Sequence, residues 1–144
     1  MNVNYLLKES YIKLNGVKIY LDDSFEEIKK KTNLELFISQ KLDNNLIISE
    51  KDFQLYFESD KLFMWVLIPN YSFFKNNNQK VALKNITFNE FLNILHQKKV
   101  TWNFQQKLTL LNQICIQTSN GLNFIFIFNL ENKNGLLSKI GFRK

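Results

Sequence analysis

The sequence predicts an α+β fold. Two tandem units, each a strand, a capped helix and antiparallel strands, pack as one compact domain with a mostly antiparallel sheet. Three observations point to it. Val17, Ile19 and Leu21 alternate with Lys18 and Tyr20, the period of a half-buried strand, and Ser24 with Glu27 three residues on forms a capping box. An approximate copy follows, in which Val81 and Leu83 alternate and Thr87-Phe88-Asn89-Glu90 repeats Ser24-Phe25-Glu26-Glu27. After each helix start come short apolar stretches separated by turn residues. These signals set a first unit at 16–69, a second at 81–144 and a connector at 70–80, all within a single domain over 1–144.

Taken in order, residues 1–15 suit a short helix or an edge strand, with Tyr5, Leu6, Ile12 and Leu14 as apolar contacts. The helix from Phe25 runs past Ile28 into Lys29, Lys30 and Lys31, cations that complement the negative end of a helix dipole. Leu34, Leu36, Phe37 and Ile38 fit a further helical turn or a short strand. Leu46-Ile47-Ile48 follows the turn signal Asp43-Asn44-Asn45 and reads as a strand. Phe53, Leu55 and Phe57 alternate with Gln54 and Tyr56. After the polar turn 58–61, the run 62–68 is apolar on both faces, as expected of a central or doubly covered strand. The first unit thus reads as strand, helix, then two or three antiparallel strands.

Pro69 closes that unit, and the connector carries Tyr71, Phe73 and Phe74 beside the polar run 75–80. Those aromatics either cover a core edge or face a partner. In the second unit Phe88, Phe91, Leu92 and Leu95 fall at i, i+3, i+4 and i+7, an amphipathic helix that ends at Lys98 and Lys99. Trp102 and Phe104 follow, and 108–117 alternates as a strand. Ser119-Asn120-Gly121 is a hairpin turn, since Asn and Gly accept positive φ. Strands are expected at 122–130 and 136–142, with a turn at 131–135, so this unit reads as strand, helix and three strands.

Composition sets outer bounds. In 144 residues, 45% hydrophobic content and 14 Phe build a core, while 4 Gly and 1 Pro leave little for flexible linkers. No stretch approaches the ~18 apolar residues of a membrane helix, and the start lacks the basic and apolar regions of a leader, so a cytoplasmic chain without membrane contact is expected. The single Cys115 excludes an internal disulfide. Charge is polarised: residues 1–60 carry 8 Lys and 11 Asp/Glu, a balance of −3, whereas 61–144 carry 11 Lys/Arg and 2 Glu, a balance of +9. Such polarity steers a charged partner to one half.

Most catalytic schemes need groups that are scarce here. His96 is the only histidine, so a Cys/His pair would have to use Cys115, which lies between Ile114 and Ile116 in an expected strand where a buried, inert thiol is usual. Glycines stand apart at 16, 121, 135 and 141, so no phosphate-cradling loop is legible, and no cofactor, metal or catalytic residue is expected. Asp22, Asp23, Glu26 and Glu27 either offset the positive end of a helix or meet a basic partner. A basic half with Trp102, Phe104 and Lys107 also fits a nucleic-acid surface, but Arg143 is the one arginine and no RNA or DNA module is legible. A structural interaction protein is the other alternative.

The two starts, 17–28 and 81–92, resemble the openings of modules in the β-lactamase inhibitor protein group and related small bacterial immunity proteins. The resemblance extends over 16–142. It implies repeats that each begin with a short apolar strand, enter a helix at a Ser/Thr cap and finish with antiparallel strands. The paired cysteines of the secreted inhibitors are missing, so inhibition of an extracellular β-lactamase is not implied. What it implies instead is a cytoplasmic immunity protein, not an enzyme, that covers the active site of a cognate protein toxin as a monomer in a one-to-one complex. Such a protein needs a rigid scaffold, aromatic anchors and complementary charge. The candidate partner-binding residues are Tyr71, Phe73, Phe74, Lys75 and Trp102 for an acidic toxin cleft, which the larger charge imbalance favours, and Asp22, Asp23 and Glu26 for a basic toxin.

Overall fold

The structure is a computed structural model and describes residues 2–36, 38–76, 79–131 and 133–144. A 3-10 turn at Asn4–Leu7 leads into a hairpin of β1 (Ile12–Leu14) and β2 (Val17–Ile19), then α1 (Phe25–Thr32). Four strands follow: β3 (Ile38–Leu42), β4 (Asn45–Ser49), β5 (Phe53–Glu58) and β6 (Lys61–Leu67). The same order then recurs. A hairpin of β7 (Phe73–Asn76) and β8 (Gln79–Ala82) precedes α2 (Phe88–Gln97), and β9 (Trp102–Phe104), β10 (Gln113–Thr118), β11 (Asn123–Ile127) and β12 (Leu136–Arg143) complete the chain.

The eight longer-range strands form one antiparallel sheet in the order β3-β4-β5-β6-β12-β11-β10-β9. The last strand of each half meets at the centre, where Leu67 pairs with Ile140 and Trp65 with Phe142. This central position explains why β6 is apolar on both faces, while the free edges fall to β3 and β9. The fold is therefore α+β with a mostly antiparallel sheet.

Both helices start as the sequence predicts, because each N-terminus meets its unpaired backbone donors locally. Ser24 Oγ accepts from Glu27 N–H at 3.2 Å and Glu27 Oε2 accepts from Ser24 N–H at 2.7 Å. The Thr87–Glu90 pair does the same at 3.3 and 2.8 Å. Each cap is also stitched to the sheet. Ser24 bridges to Lys61 and Thr87 to Leu136, while Leu62 N–H donates to Asp23 O at 3.0 Å and Leu137 N–H to Ile86 O at 3.1 Å. The pairing β5·β6 slips between Tyr56 and Phe57, and β11·β12 slips between Ile125 and Phe126.

The core lies between the helices with their hairpins and one face of the sheet. Phe25 meets Phe57 edge-on at 6.0 Å, and Phe88 meets Phe126 edge-on at 5.4 Å. Phe91 is packed among Phe124, Phe126 and Phe74, at 4.6, 5.3 and 6.0 Å between ring centres. Since side chains alternate along a strand, Leu55, Trp65, Ile116, Phe124 and Ile140 share this covered face.

Several sequence expectations are corrected. The segment 70–80 holds strand where a loop was expected, because Phe73 pairs with Ala82 and Phe74 with Val81 in the β7–β8 hairpin; Asn77 and Asn78 lie outside the described residues. Residues 1–15 hold both a 3-10 turn and a strand, tied together where Tyr5 stacks on Tyr11 at 4.9 Å and its hydroxyl accepts from Lys13 N–H at 3.1 Å. The segment 34–38 enters a strand only at Ile38, and Phe37 lies outside the described residues. Each half has four sheet strands, since β3 and β9 join as edges whose residues are all exposed and so show no buried alternation. Leu108 and Leu110 stand exposed before β10, because a 3-10 turn and the tight Leu110–Gln113 pairing take up the start of the expected strand. The expected strand 122–130 ends at Ile127, and Asn132 of the turn that follows lies outside the described residues.

Candidate functional site

The acidic cluster is largely answered from within the chain. Asp22 holds Lys144 Nζ at 2.7 and 2.8 Å, and Asp23 holds Lys31 Nζ at 3.0 Å while accepting from Tyr20 N–H at 2.9 Å. That contact raises the affinity of Lys31 for its proton, chiefly through the hydrogen bond to Asp23. The Glu27 carboxyl is held below the usual carboxylate range, first by the hydrogen bond from the Ser24 backbone N–H. Glu26 remains as an exposed carboxylate on the first turn of α1.

The aromatic cluster at 71–75 is split by the hairpin. Tyr71 is exposed, with Lys51 Nζ 4.6 Å from its ring centre. Phe73 is half-buried under Lys80, whose Nζ lies 5.1 Å from the ring. Phe74 is corrected outright as a contact residue. It is 1% exposed and stacked on Phe91, because alternation along β7 turns it into the core. The Lys75 side chain is exposed, while its backbone is paired by the Asn4 side chain at 2.6 and 2.7 Å. Trp102 lies far along the chain on edge strand β9, next to Phe104. The structure therefore does not gather the candidate partner residues into one patch.

Cys115 and His96 do not form a pair. The thiol is buried on the face of the sheet away from α2 and is pushed up to about 11 by that burial, whereas His96 is exposed near the end of α2. Among the described residues no group of three or more His, Cys, Asp or Glu is gathered to hold a metal, and no helix is long and apolar enough to cross a membrane.

The feature that sequence reasoning missed is the helix-free face of the sheet. A cross-strand row runs over five strands, Gln40–Ile47–Tyr56–Met64–Arg143, each residue directly opposite the next. A second row, Gln54–Val66–Gly141–Asn123–Gln117–Asn103, runs over six. None of these side chains is fully buried. Over the first row opens a groove of about 350 Å³, where Tyr56 and Phe63 meet edge-on at 6.5 Å, Arg143 lies 5.8 Å over the Phe63 ring, and Tyr56 Oη donates to Gln54 Oε1 at 2.9 Å. Lys139 lies on the same face farther along β12, away from the groove and opposite Ile125. Among the described residues the ion pairs within 4 Å are Lys31–Asp23 and Lys144–Asp22; the groove itself is lined by both Arg143 and the carboxylate Glu58. The alternation of Gln54 and Tyr56 with Phe53, Leu55 and Phe57 was legible in the sequence; which row would stay uncovered was not.

This face presents aromatic edges, apolar and amide side chains, and the charged groups Arg143, Lys139 and Glu58. In comparisons with known proteins, no family model, no curated protein and no solved structure matches this chain.

Proposed function

We propose that this protein is a non-catalytic cytoplasmic immunity protein that neutralises a cognate toxin by covering its active site, as a monomer in a one-to-one complex. The observation that carries the reading is the helix-free sheet face, with the Tyr56–Phe63–Arg143 groove near its centre. Eight strands at about 4.8 Å spacing and three to eight residues long offer a surface of roughly 700 Å², close to the ~800 Å² per partner of a standard protein interface. A β-sheet holds its side chains at fixed spacing, so little conformational entropy is lost on binding. Arg143 and Glu58 both line the groove, so the preference for a toxin with an acidic cleft rests on the excess of Lys and Arg over 61–144.

We also infer that the chain is a tandem repeat. Supporting this are the two capping boxes, the two bridges from cap to final strand, and the two register slips at matched places, one before Phe57–Leu62 and one before Phe126–Leu137. That arrangement agrees with the repeats implied by the inhibitor resemblance.

The test is co-expression with the product of the gene immediately upstream. The expected outcome is growth rescue and a stoichiometric complex on size exclusion. Tyr56→Ala and Arg143→Glu should each weaken that complex about tenfold or more, the behaviour of interface anchors, while Tyr71→Ala should not. Rescue lost by none of the sheet-face variants would overturn the surface, and no complex with the upstream product would overturn the function.

A further inference from the structure

The two free edges of the sheet are not alike. Strand β3 carries the exposed Lys41 and a register slip between Ile38 and Gln40, and the Ser39 hydroxyl donates to Ile47 O at 2.8 Å. A charged lysine on the edge, a bulge and a side chain bonded to the ladder are devices that discourage further strand pairing. Strand β9 has none of these. Its register against β10 is regular, with Trp102 opposite Thr118 and Phe104 opposite Ile116, and all three of its residues are exposed.

The backbone of β9 can be followed group by group. Ser119 N–H donates to Thr101 O at 3.0 Å and Gln105 N–H donates to Cys115 O at 2.9 Å, so residues 101, 103 and 105 turn toward β10. Antiparallel pairing alternates, which directs the N–H and C=O of Trp102 and Phe104 away from the sheet. Their side chains, 37% and 54% exposed, stand on the helix-bearing side and meet edge-on at 5.3 Å and 88°. Lys98 and Lys99 precede the strand and Lys107 follows it, all exposed. Between Glu90 and Glu131 the chain contains no acidic residue.

We propose that β9 is a strand-addition site that captures an extended acidic segment of a partner chain. The incoming strand pairs its main chain with the outward groups of Trp102 and Phe104, rests apolar side chains on the two rings, and meets Lys98, Lys99 and Lys107 with carboxylates. Charge decides against a second copy of this chain, because pairing β9 with itself would bring those lysines against their own counterparts. Ring geometry decides against single-stranded nucleic acid. Bases stack on exposed ring faces, whereas here one ring's edge occupies the other's face, and base stacking leaves the outward backbone groups unused. This edge is separate from the groove on the helix-free face, and its test does not involve the proposed toxin.

The probe is an end-capped peptide of alternating valine and glutamate, with an alternating valine–lysine peptide and oligo-dT as controls, added to the full-length protein under amide hydrogen exchange. The glutamate peptide should slow exchange at Trp102 and Phe104 about tenfold or more and leave Asn103, already bonded inward, unchanged. Phe104→Pro removes an outward N–H that the parent sheet does not use, so it should abolish the protection while β10 and β11 keep theirs. Should that variant fail to fold, the surface triple change Lys98→Glu, Lys99→Glu, Lys107→Glu should switch preference to the lysine peptide. The proposal is overturned by unchanged exchange at millimolar glutamate peptide, by equal protection from the lysine peptide, by tighter binding of oligo-dT, or by amides already protected in a dimer of the free protein.

Discussion

In the half ending at Leu67, α1 buries Ile28 and Thr32 and carries three lysines in its last turn. In the half beginning at Phe73, α2 buries Phe91, Ile94 and Leu95 and has a far more apolar composition. The caps, the cap-to-strand bridges and the register slips coincide, yet the contents of the core and the character of the outer edge do not. The first half packs Phe25 on Phe57 among aliphatic side chains and Trp65 and ends at the guarded edge β3, whereas the second links six phenylalanines and ends at the bare edge β9. The difference teaches that backbone geometry is held by local hydrogen bonds common to both halves, while stability and surface are assigned separately to each.

The largest effect should come from unequal cores. Phe91→Ala is expected to cost about 3–5 kcal/mol, because the ring is wholly buried among rigid rings that cannot collapse into its space. Ile28→Ala should cost about 2–4 kcal/mol. Equal losses in denaturant unfolding would abolish the distinction between the halves.

Next come two glycines with positive φ. Gly135 has φ +66, and an added Cβ would run into the Phe128 ring; Gly16 has φ +81 with nothing near the Cβ position. Gly135→Ala should cost about 2–3 kcal/mol and Gly16→Ala about 1 kcal/mol, since only the first adds a clash to backbone strain. A Gly16 loss as large as that at Gly135 would place the cost in the backbone alone.

The caps sharpen what is common. Ser24→Ala and Thr87→Ala should each cost about 1 kcal/mol and add in the double variant, as expected for separate sites. The Glu27 carboxyl has its folded pKa lowered, so its contribution is present above the ordinary carboxylate value and is lost as pH falls through the folded one. Glu27→Gln should therefore flatten the acid limb of a stability-against-pH curve. The smallest effect concerns Cys115. With its thiol pushed up to about 11 by burial, it should resist a disulfide reagent at pH 8 in the folded protein and react on unfolding.

What the sequence revealed follows the range of each interaction. Ser24 with Glu27 and Thr87 with Glu90 were legible because a capping box lies within four residues. The same holds for the Ser119-Asn120-Gly121 turn, where Gly121 has φ +84. The hairpin β7–β8 was missed because adjacent Phe73 and Phe74 before a polar run suggest a loop until Ala82 and Val81 are seen opposite them. Edge strands β3 and β9 were missed because exposed strands carry no apolar alternation. Among the candidate site residues, Phe74 turned inward and Asp22 and Asp23 found lysines, one of them at the far end of the chain, at Lys144.

By itself, then, the sequence determined the α+β class, both helix starts, the central character of β6 and the polarised charge, since each depends on neighbours along the chain or on composition alone. Only the tertiary structure decided that β6 would meet β12, that the row from Gln40 to Arg143 would lie on the helix-free face, and that β9 would be left as an edge. Strand pairing matches residues far apart in sequence through a backbone common to all residues, and the choice among partners is made by the helices and hairpins that cover one face and leave the other open.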